Sequence, residues 1–249
     1  MGTVAWFIGC DGGPGVLHDP QQEKREVLFL LDLSNSTQLA ENDMDSALRI
    51  AIDRAPEAAT IHVFPLHANT RSASRLFGAT FGSFDSERKR TASQTELGRD
   101  LMNQLQAARN DKGPHRKRTC IVDSLLKVSQ FANEAKSSGH NLRTVFLSDM
   151  VEDCGPMNAR QSPEDLAESV LVDRFGKDYR KVIQLKGARV TICQPGNSVA
   201  GVSPEKSVFG NLKVSDQREF WRAVFVKAGL TSEVEYPADR ESCALAVWR

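Results

Sequence analysis

The run Val27-Leu28-Phe29-Leu30-Leu31 enters an Asp32-Leu33-Ser34-Asn35-Ser36 turn without a polar residue on the way. Unbroken apolarity of this length, closed by turn residues, predicts a strand covered on both faces, as in a parallel sheet flanked by helices. The carboxyl ends of such strands are where open α/β sheets place ligands. Asp32, Ser34 and Ser36 put one carboxylate and two hydroxyls on that turn. Hard oxygen donors of this kind suit Mg²⁺ or Mn²⁺ and leave room for water and an outside ligand. Ser and Asn after a strand are also ordinary turn and N-cap residues, so the turn alone carries both readings.

The rest of the chain alternates in the same way. Met44, Ala47, Leu48 and Ala51 recur at helical spacing, and Thr60-Ile61-His62-Val63-Phe64 follows as a strand, which makes a βαβ start. Leu97, Leu101, Leu105 and Ala108 mark a further amphipathic helix, and Ile121, Leu125, Val128 and Ala132 mark the next, opened by Thr119. Asn141 to Leu147 is strand-like and ends in Ser148-Asp149, a second carboxylate at a strand terminus. Ser162-Pro163-Glu164-Asp165 starts a helix with serine at the N-cap and proline in the first turn. Gly187 to Cys193 predicts a strand, Phe220 to Ala228 a helix, and Cys243 to Trp248 a final strand. Between Thr70 and Thr95, Gly78, Gly82, Ser83 and the basic run Arg88-Lys89-Arg90 read as a hairpin or loop with an antiparallel edge strand.

The strand ending in Asp32-x-Ser34-x-Ser36, the helix opening at Thr119 and the strand ending at Asp149 together resemble the von Willebrand factor A domain and its metal-ion-dependent adhesion site. The resemblance runs from about Val27 to the last strand. It implies a doubly wound, mostly parallel, Rossmann-like α/β sheet of about six strands. It also implies that Asp32, Ser34, Ser36, Thr119 and Asp149 hold Mg²⁺ or Mn²⁺, directly or through water. The open position on the cation would take an Asp or Glu of a partner protein, so the implied function is a non-enzymatic adhesion or scaffold module. Two departures are visible: Met150 stands where the family usually has glycine, and Asp123 and Ser124 follow the threonine where small residues are usual.

Composition agrees with one domain over residues 26–249. The chain has 249 residues, 40% hydrophobic and 26% charged, enough for a single sizeable core. Its formal net charge of zero gives no global attraction to nucleic acid. No stretch reaches the ~18 to 20 apolar residues of a membrane-spanning helix. Residues 1–25 read as a tether: Trp6-Phe7-Ile8-Gly9-Cys10 followed by Asp11-Gly12-Gly13-Pro14-Gly15 resembles a bacterial lipobox with a lipid-anchored Cys10. Nine residues precede Cys10 and none is Lys or Arg, so that reading requires a start upstream of Met1. The alternative is a short edge strand with an ordinary thiol. The balance leans to a bacterial envelope lipoprotein over a cytoplasmic protein, because Gly-Cys followed by a Gly/Pro linker is an unusual end for a core strand.

The other cysteines, Cys120, Cys154, Cys193 and Cys243, are even in number, enough to form bridges in an oxidising space, and match no zinc spacing. Buried thiols are the preferred reading, from the general burial habit of cysteine. His18, His62, His67, His115 and His140 show no ligand spacing. The run His115-Arg116-Lys117-Arg118 reads as a solvated loop, with an attractive rim for an acidic partner as the alternative, and Glu152 and Asp153 read as solvated. Two other functions compete with binding. Asp32 stands where aspartyl-phosphate phosphatases put their nucleophile, although Ser34 occupies the place of their acid/base aspartate. The fold can also persist as a scaffold whose site holds no metal.

Overall fold

The structure is a computed structural model and describes residues 24–34, 41–67, 70–111, 118–152, 154, 162–193 and 214–249. Its elements in chain order are β1 (Arg25–Asp32), α1 (Glu41–Asp53), β2 (Thr60–Leu66), β3 (Phe77–Thr80), α2 (Glu87–Asn110), α3 (Ile121–Ser137), β4 (Asn141–Leu147), α4 (Pro163–Phe175), α5 (Tyr179–Val182), β5 (Ala188–Cys193), α6 (Val214–Lys227), β6 (Val234–Glu235) and α7 (Arg240–Ala246). Residues 1–23 of the expected tether, Cys10 included, and the run 112–117 lie outside the described residues, as do Ser36 and Asp153.

The six strands lie in the order β3-β2-β1-β4-β5-β6, and every neighbouring pair is parallel except β2 with β3. The chain leaves β1 to build β2 and β3 on one side, then returns to place β4 on the other. That reversal opens a crevice at the carboxyl ends of β1 and β4, the position that Asp32 and Asp149 reach.

Alternation along β1 explains why its apolar run is unbroken. Leu28 and Leu30 point into a core shared with α3, α4 and α6, whereas Val27, Phe29 and Leu31 point into a second core shared with α1, α2 and α7. Each of these side chains is at most 1% exposed. Full burial of one such side chain is worth roughly 1.5 to 3 kcal/mol. The strand ends where that burial must give way to polar turn chemistry.

Two expected elements differ. Cys243 to Trp248 is no final strand: residues 240–246 form α7, started by Asp239, whose carboxylate accepts the Ser242 N–H at 2.7 Å. The edge position is filled by the short β6. The basic run Arg88-Lys89-Arg90 belongs to the first turn of α2, where Ser86 is the N-cap and accepts from Lys89 N–H. The antiparallel edge strand is present as β3.

Candidate metal centre

Asp32 is the last residue of β1 and is 1% exposed. One of its oxygens, Oδ1, accepts the Ser34 N–H at 2.9 Å and the Thr119 hydroxyl at 3.2 Å. The other, Oδ2, accepts the Ser148 hydroxyl at 2.7 Å. Asp32, Ser34 and Thr119 are therefore brought together from the β1 turn and the start of α3, although 87 residues separate Asp32 from Thr119. Asp149 is half-buried on the loop after β4, where its Oδ1 accepts the Val151 N–H at 3.0 Å. Ser36 lies outside the described residues.

Burial pushes the Asp32 carboxyl from its ordinary 3.8 up to about 7, and the Asp149 charge pushes the same way. Hydrogen bonds from Ser148 and Ser34 oppose the rise without cancelling it. A carboxylate buried beside another carboxylate and ringed by hydroxyls is a set of oxygen ligands whose charge a divalent cation neutralises. The donors fit Mg²⁺ or Mn²⁺ better than a soft metal, because no thiolate or imidazole is among them.

The loop carrying Asp149 is held from three directions. On the α6 side, Gln217 donates to the carbonyls of Asp149 (3.2 Å) and Met150 (3.0 Å), and the Trp221 indole N–H donates to Met150 O at 2.9 Å. From within the loop, Ser148 Oγ accepts the Met150 N–H at 2.9 Å. Met150 has φ +60°, the left-handed conformation that glycine adopts most easily, and its side chain is wholly buried.

The third attachment runs to α3 and overturns two expectations. Glu152, expected to be solvated, is 5% exposed. Its carboxylate accepts the Val122 N–H at 2.9 Å and the Cys154 N–H at 3.1 Å, with a further bond from the Ile121 N–H. The residue at the α3 N-cap, Cys120, makes no side-chain capping bond, so Glu152 supplies an acceptor for the first turn from another loop. Burial raises its pKa from 4.5 to about 8, against those N–H bonds. Cys120 and Cys154, expected as thiols, form a disulfide with Cα atoms 5.1 Å apart. The Glu152 carboxylate lies within 4.8 Å of both sulfurs, so carboxylate and disulfide make one joint between the Thr119 and Asp149 loops. No local signal in the sequence marks that joint, because both bonds span about thirty residues.

Asp123, one of the departures from the family pattern, is ion-paired with Arg174 of α4. A second disulfide, Cys193–Cys243, ties the end of β5 to α7 with Cα atoms 5.9 Å apart. Beside it, at the same end of the sheet, a cavity of about 320 Å³ is lined by Met44, Leu147, Ile192, Arg218, Tyr236 and Arg240 among others.

No protein-family model matches the sequence, and no curated protein sequence matches it. Solved structures do match. A von Willebrand factor type A protein from Catenulispora acidiphila shares 12% identity at TM-score 0.48, over 90% of this chain and 41% of that one. VWA2 from Sulfolobus acidocaldarius shares 12% at 0.48, over 90% and 44%. The manganese-loaded TRAP protein of Plasmodium vivax shares 13% at 0.43, over 91% and 72%. The chain thus spans less than half the length of the first two. With its single antiparallel edge pair and helices on both faces, the six-stranded sheet is a mostly parallel, Rossmann-like α/β fold.

Proposed function

We propose that this protein is a metal-dependent protein-binding module. Asp32, Ser34, Ser36, Thr119 and Asp149 hold Mg²⁺ or Mn²⁺, directly or through water, and the open position of the ion takes an Asp or Glu carboxylate of a partner. The observation that carries the reading is Asp32. It is a carboxylate at 1% exposure, placed in the strand-end crevice, surrounded by hydroxyls and pushed towards neutrality first by burial and then by a second carboxylate. Burying two acidic groups together is unfavourable without a compensating cation.

In this reading the chain from β1 onward forms the binding domain, one residue earlier than the sequence boundary at 26, and the residues before it are its tether. The two disulfides support an oxidising location, in keeping with an envelope lipoprotein anchored at Cys10. The module is not an enzyme: Ser34 gives its backbone N–H and its hydroxyl to Asp32 and has no proton-transfer capacity near neutral pH, so a phosphoryl-aspartate has no acid/base partner there. Turnover of a phosphoester in Mg²⁺ that vanishes in Asp32→Asn would count against this.

One observation favours a second reading, a scaffold without metal. A carboxyl with a pKa of about 7 can carry a proton and satisfy the same hydroxyl cluster unaided. Calorimetric titration of the chelator-stripped protein with Mn²⁺ and Mg²⁺ separates the two. Saturable one-site binding that Asp149→Ala weakens supports the metal module, and no heat at millimolar ion leaves only the scaffold.

A further inference from the structure

The amino ends of the strands gather arginines. Arg25 lies two residues before Val27, Val27 pairs with Arg143, and Arg143 pairs with Arg189, so the three side chains share one face of adjacent strands. This is the face covered by α7, and the Arg25 guanidinium donates to the carbonyl of Trp248 just past that helix. A cavity of about 60 Å³ opens there, lined by Arg25, Arg143, Arg189 and Arg249 with Glu26 and Asn141. That is room for several waters or one small polyatomic ion.

Positive charge at this cavity outweighs negative. Arg143 is buried and meets Glu235 at 3.1 and 3.2 Å. Glu26 is engaged elsewhere, 3.0 Å from His62 and 3.8 Å from His140. Arg189 and Arg249 are exposed, and among the described residues neither has a carboxylate partner. Burial lowers the pKa of Arg143, and although Glu235 raises it, the charges of Arg189 and Arg25 push it down again. Like charges at register-paired positions repel. An anion among them removes that repulsion, and the planar guanidinium forks match the oxygen spacing of a phosphate.

We propose that this concavity binds a phosphate-type oxyanion, gripped by Arg189 and Arg249 with Arg143 and Arg25 forming its floor. The size of the cavity restricts the ligand to a phosphate or a terminal phosphoryl group, free or on a lipid. The site is independent of the candidate metal centre, at the other end of the strands.

The test is calorimetric titration of the full chain with inorganic phosphate at constant ionic strength, paired with sedimentation of phosphatidate-containing vesicles. The wild-type chain should bind phosphate saturably and unfold at higher temperature in its presence. Arg189→Ala combined with Arg249→Ala should weaken binding at least roughly tenfold, since two charge-assisted contacts are lost. Both residues are exposed, so the fold should survive, and Arg88→Ala combined with Arg99→Ala, two exposed arginines of α2, controls for net charge. Phosphate binding without vesicle binding assigns a free phosphate, and vesicle binding lost in the double variant assigns a headgroup. Absence of binding in both arms overturns the proposal, as does binding that the Arg189/Arg249 double variant keeps or that the Arg88/Arg99 control loses equally.

Discussion

The two ends of one parallel sheet pose opposite electrostatic problems and are built differently to meet them. At the carboxyl ends, Asp32 is buried with Asp149 opposing its ionisation, and hydroxyls and backbone N–H groups crowd round it. At the amino ends, guanidinia crowd on a single face with Glu235 as the carboxylate that meets them. Sheets have only small net dipoles, so these characters come from side chains and not from the strands. The acidic end stands on loops and is therefore cross-linked, by the Cys120–Cys154 bond, by Glu152 and by α6. At the basic end Arg25, Arg143 and Arg189 stand on the strands themselves, which hold them in register, and Arg249 joins them from beyond α7.

The largest effect should come from Asp32→Ala. If the acidic end is a cation site, losing its central carboxylate should abolish Mn²⁺ and Mg²⁺ binding by calorimetry, a fall of at least about a hundredfold or 2.7 kcal/mol. Phosphate binding should be unchanged. The converse also holds: Arg189→Ala should leave metal affinity intact. A variant at either end that weakens both ligands would mean that the two ends are coupled, and the comparison would break.

Next in their effect on metal binding are the disulfides, which also act on the stability of the whole fold. Cys120–Cys154 closes a loop of 34 residues and Cys193–Cys243 one of 50, so loop entropy gives each about 4 kcal/mol of stability. Replacing either pair by serine should lower the unfolding free energy read from denaturant melts by a similar amount. Only the Cys120/Cys154 pair joins the Thr119 and Asp149 loops, so only its loss should also reduce metal affinity. Glu152→Gln, which keeps an acceptor for the N–H groups but removes the charge, separates positioning from charge: an unchanged affinity assigns Glu152 to positioning alone.

These long-range attachments are also what the sequence hides. The β1 run and its Asp32 turn are legible because burial on both faces and turn chemistry leave local marks between Val27 and Ser36, and the antiparallel β3 is announced by its glycines and position. Glu152 carries no mark, since an acidic residue after a strand is ordinarily solvated and its role exists only once α3 is docked 30 residues away. Cys120, Cys154, Cys193 and Cys243 show an even count but no partners, because pairing depends on which loops the sheet brings together. Residues 243–248 were misleading in a different way. Cys243, Ala244, Ala246 and Val247 satisfy a helical face as well as an apolar strand, and the Asp239 cap decides between them.

A smaller effect follows pH, and the acidic end should respond in opposite senses with and without metal. Asp32 and Glu152 have folded-state pKa values of about 7 and 8, raised from 3.8 and 4.5. Carboxyls raised on folding bind protons more tightly in the native state. Their stabilising contribution is thus fully present below about pH 4 and is lost as pH rises through 7 to 8. Metal-free protein should therefore unfold at progressively lower temperature from pH 5 to pH 9. Cation binding needs Asp32 ionised, so Mn²⁺ affinity should rise roughly tenfold per unit up to about pH 7 and then level. Melting curves in chelator and in saturating Mn²⁺ should diverge as pH increases, and parallel curves would refute a cation held by Asp32.

The smallest effect tests how the acidic end tolerates its strained hinge. Met150 sits at φ +60°, which costs a non-glycine residue roughly 1 to 2 kcal/mol. Glycine would remove that cost, yet it would also remove a side chain that is wholly buried in the core with α3, α4 and α6. Truncating a buried methionine costs roughly 2 to 5 kcal/mol. Packing should outweigh strain, so Met150→Gly is expected to destabilise the protein by about 1 to 3 kcal/mol in denaturant melts. The Met150 carbonyl remains tied to Trp221 and Gln217, and Asp149 keeps the Val151 N–H. Metal affinity should accordingly stay within about threefold, because the backbone that presents Asp149 is fixed from α6 and not by the methionine side chain.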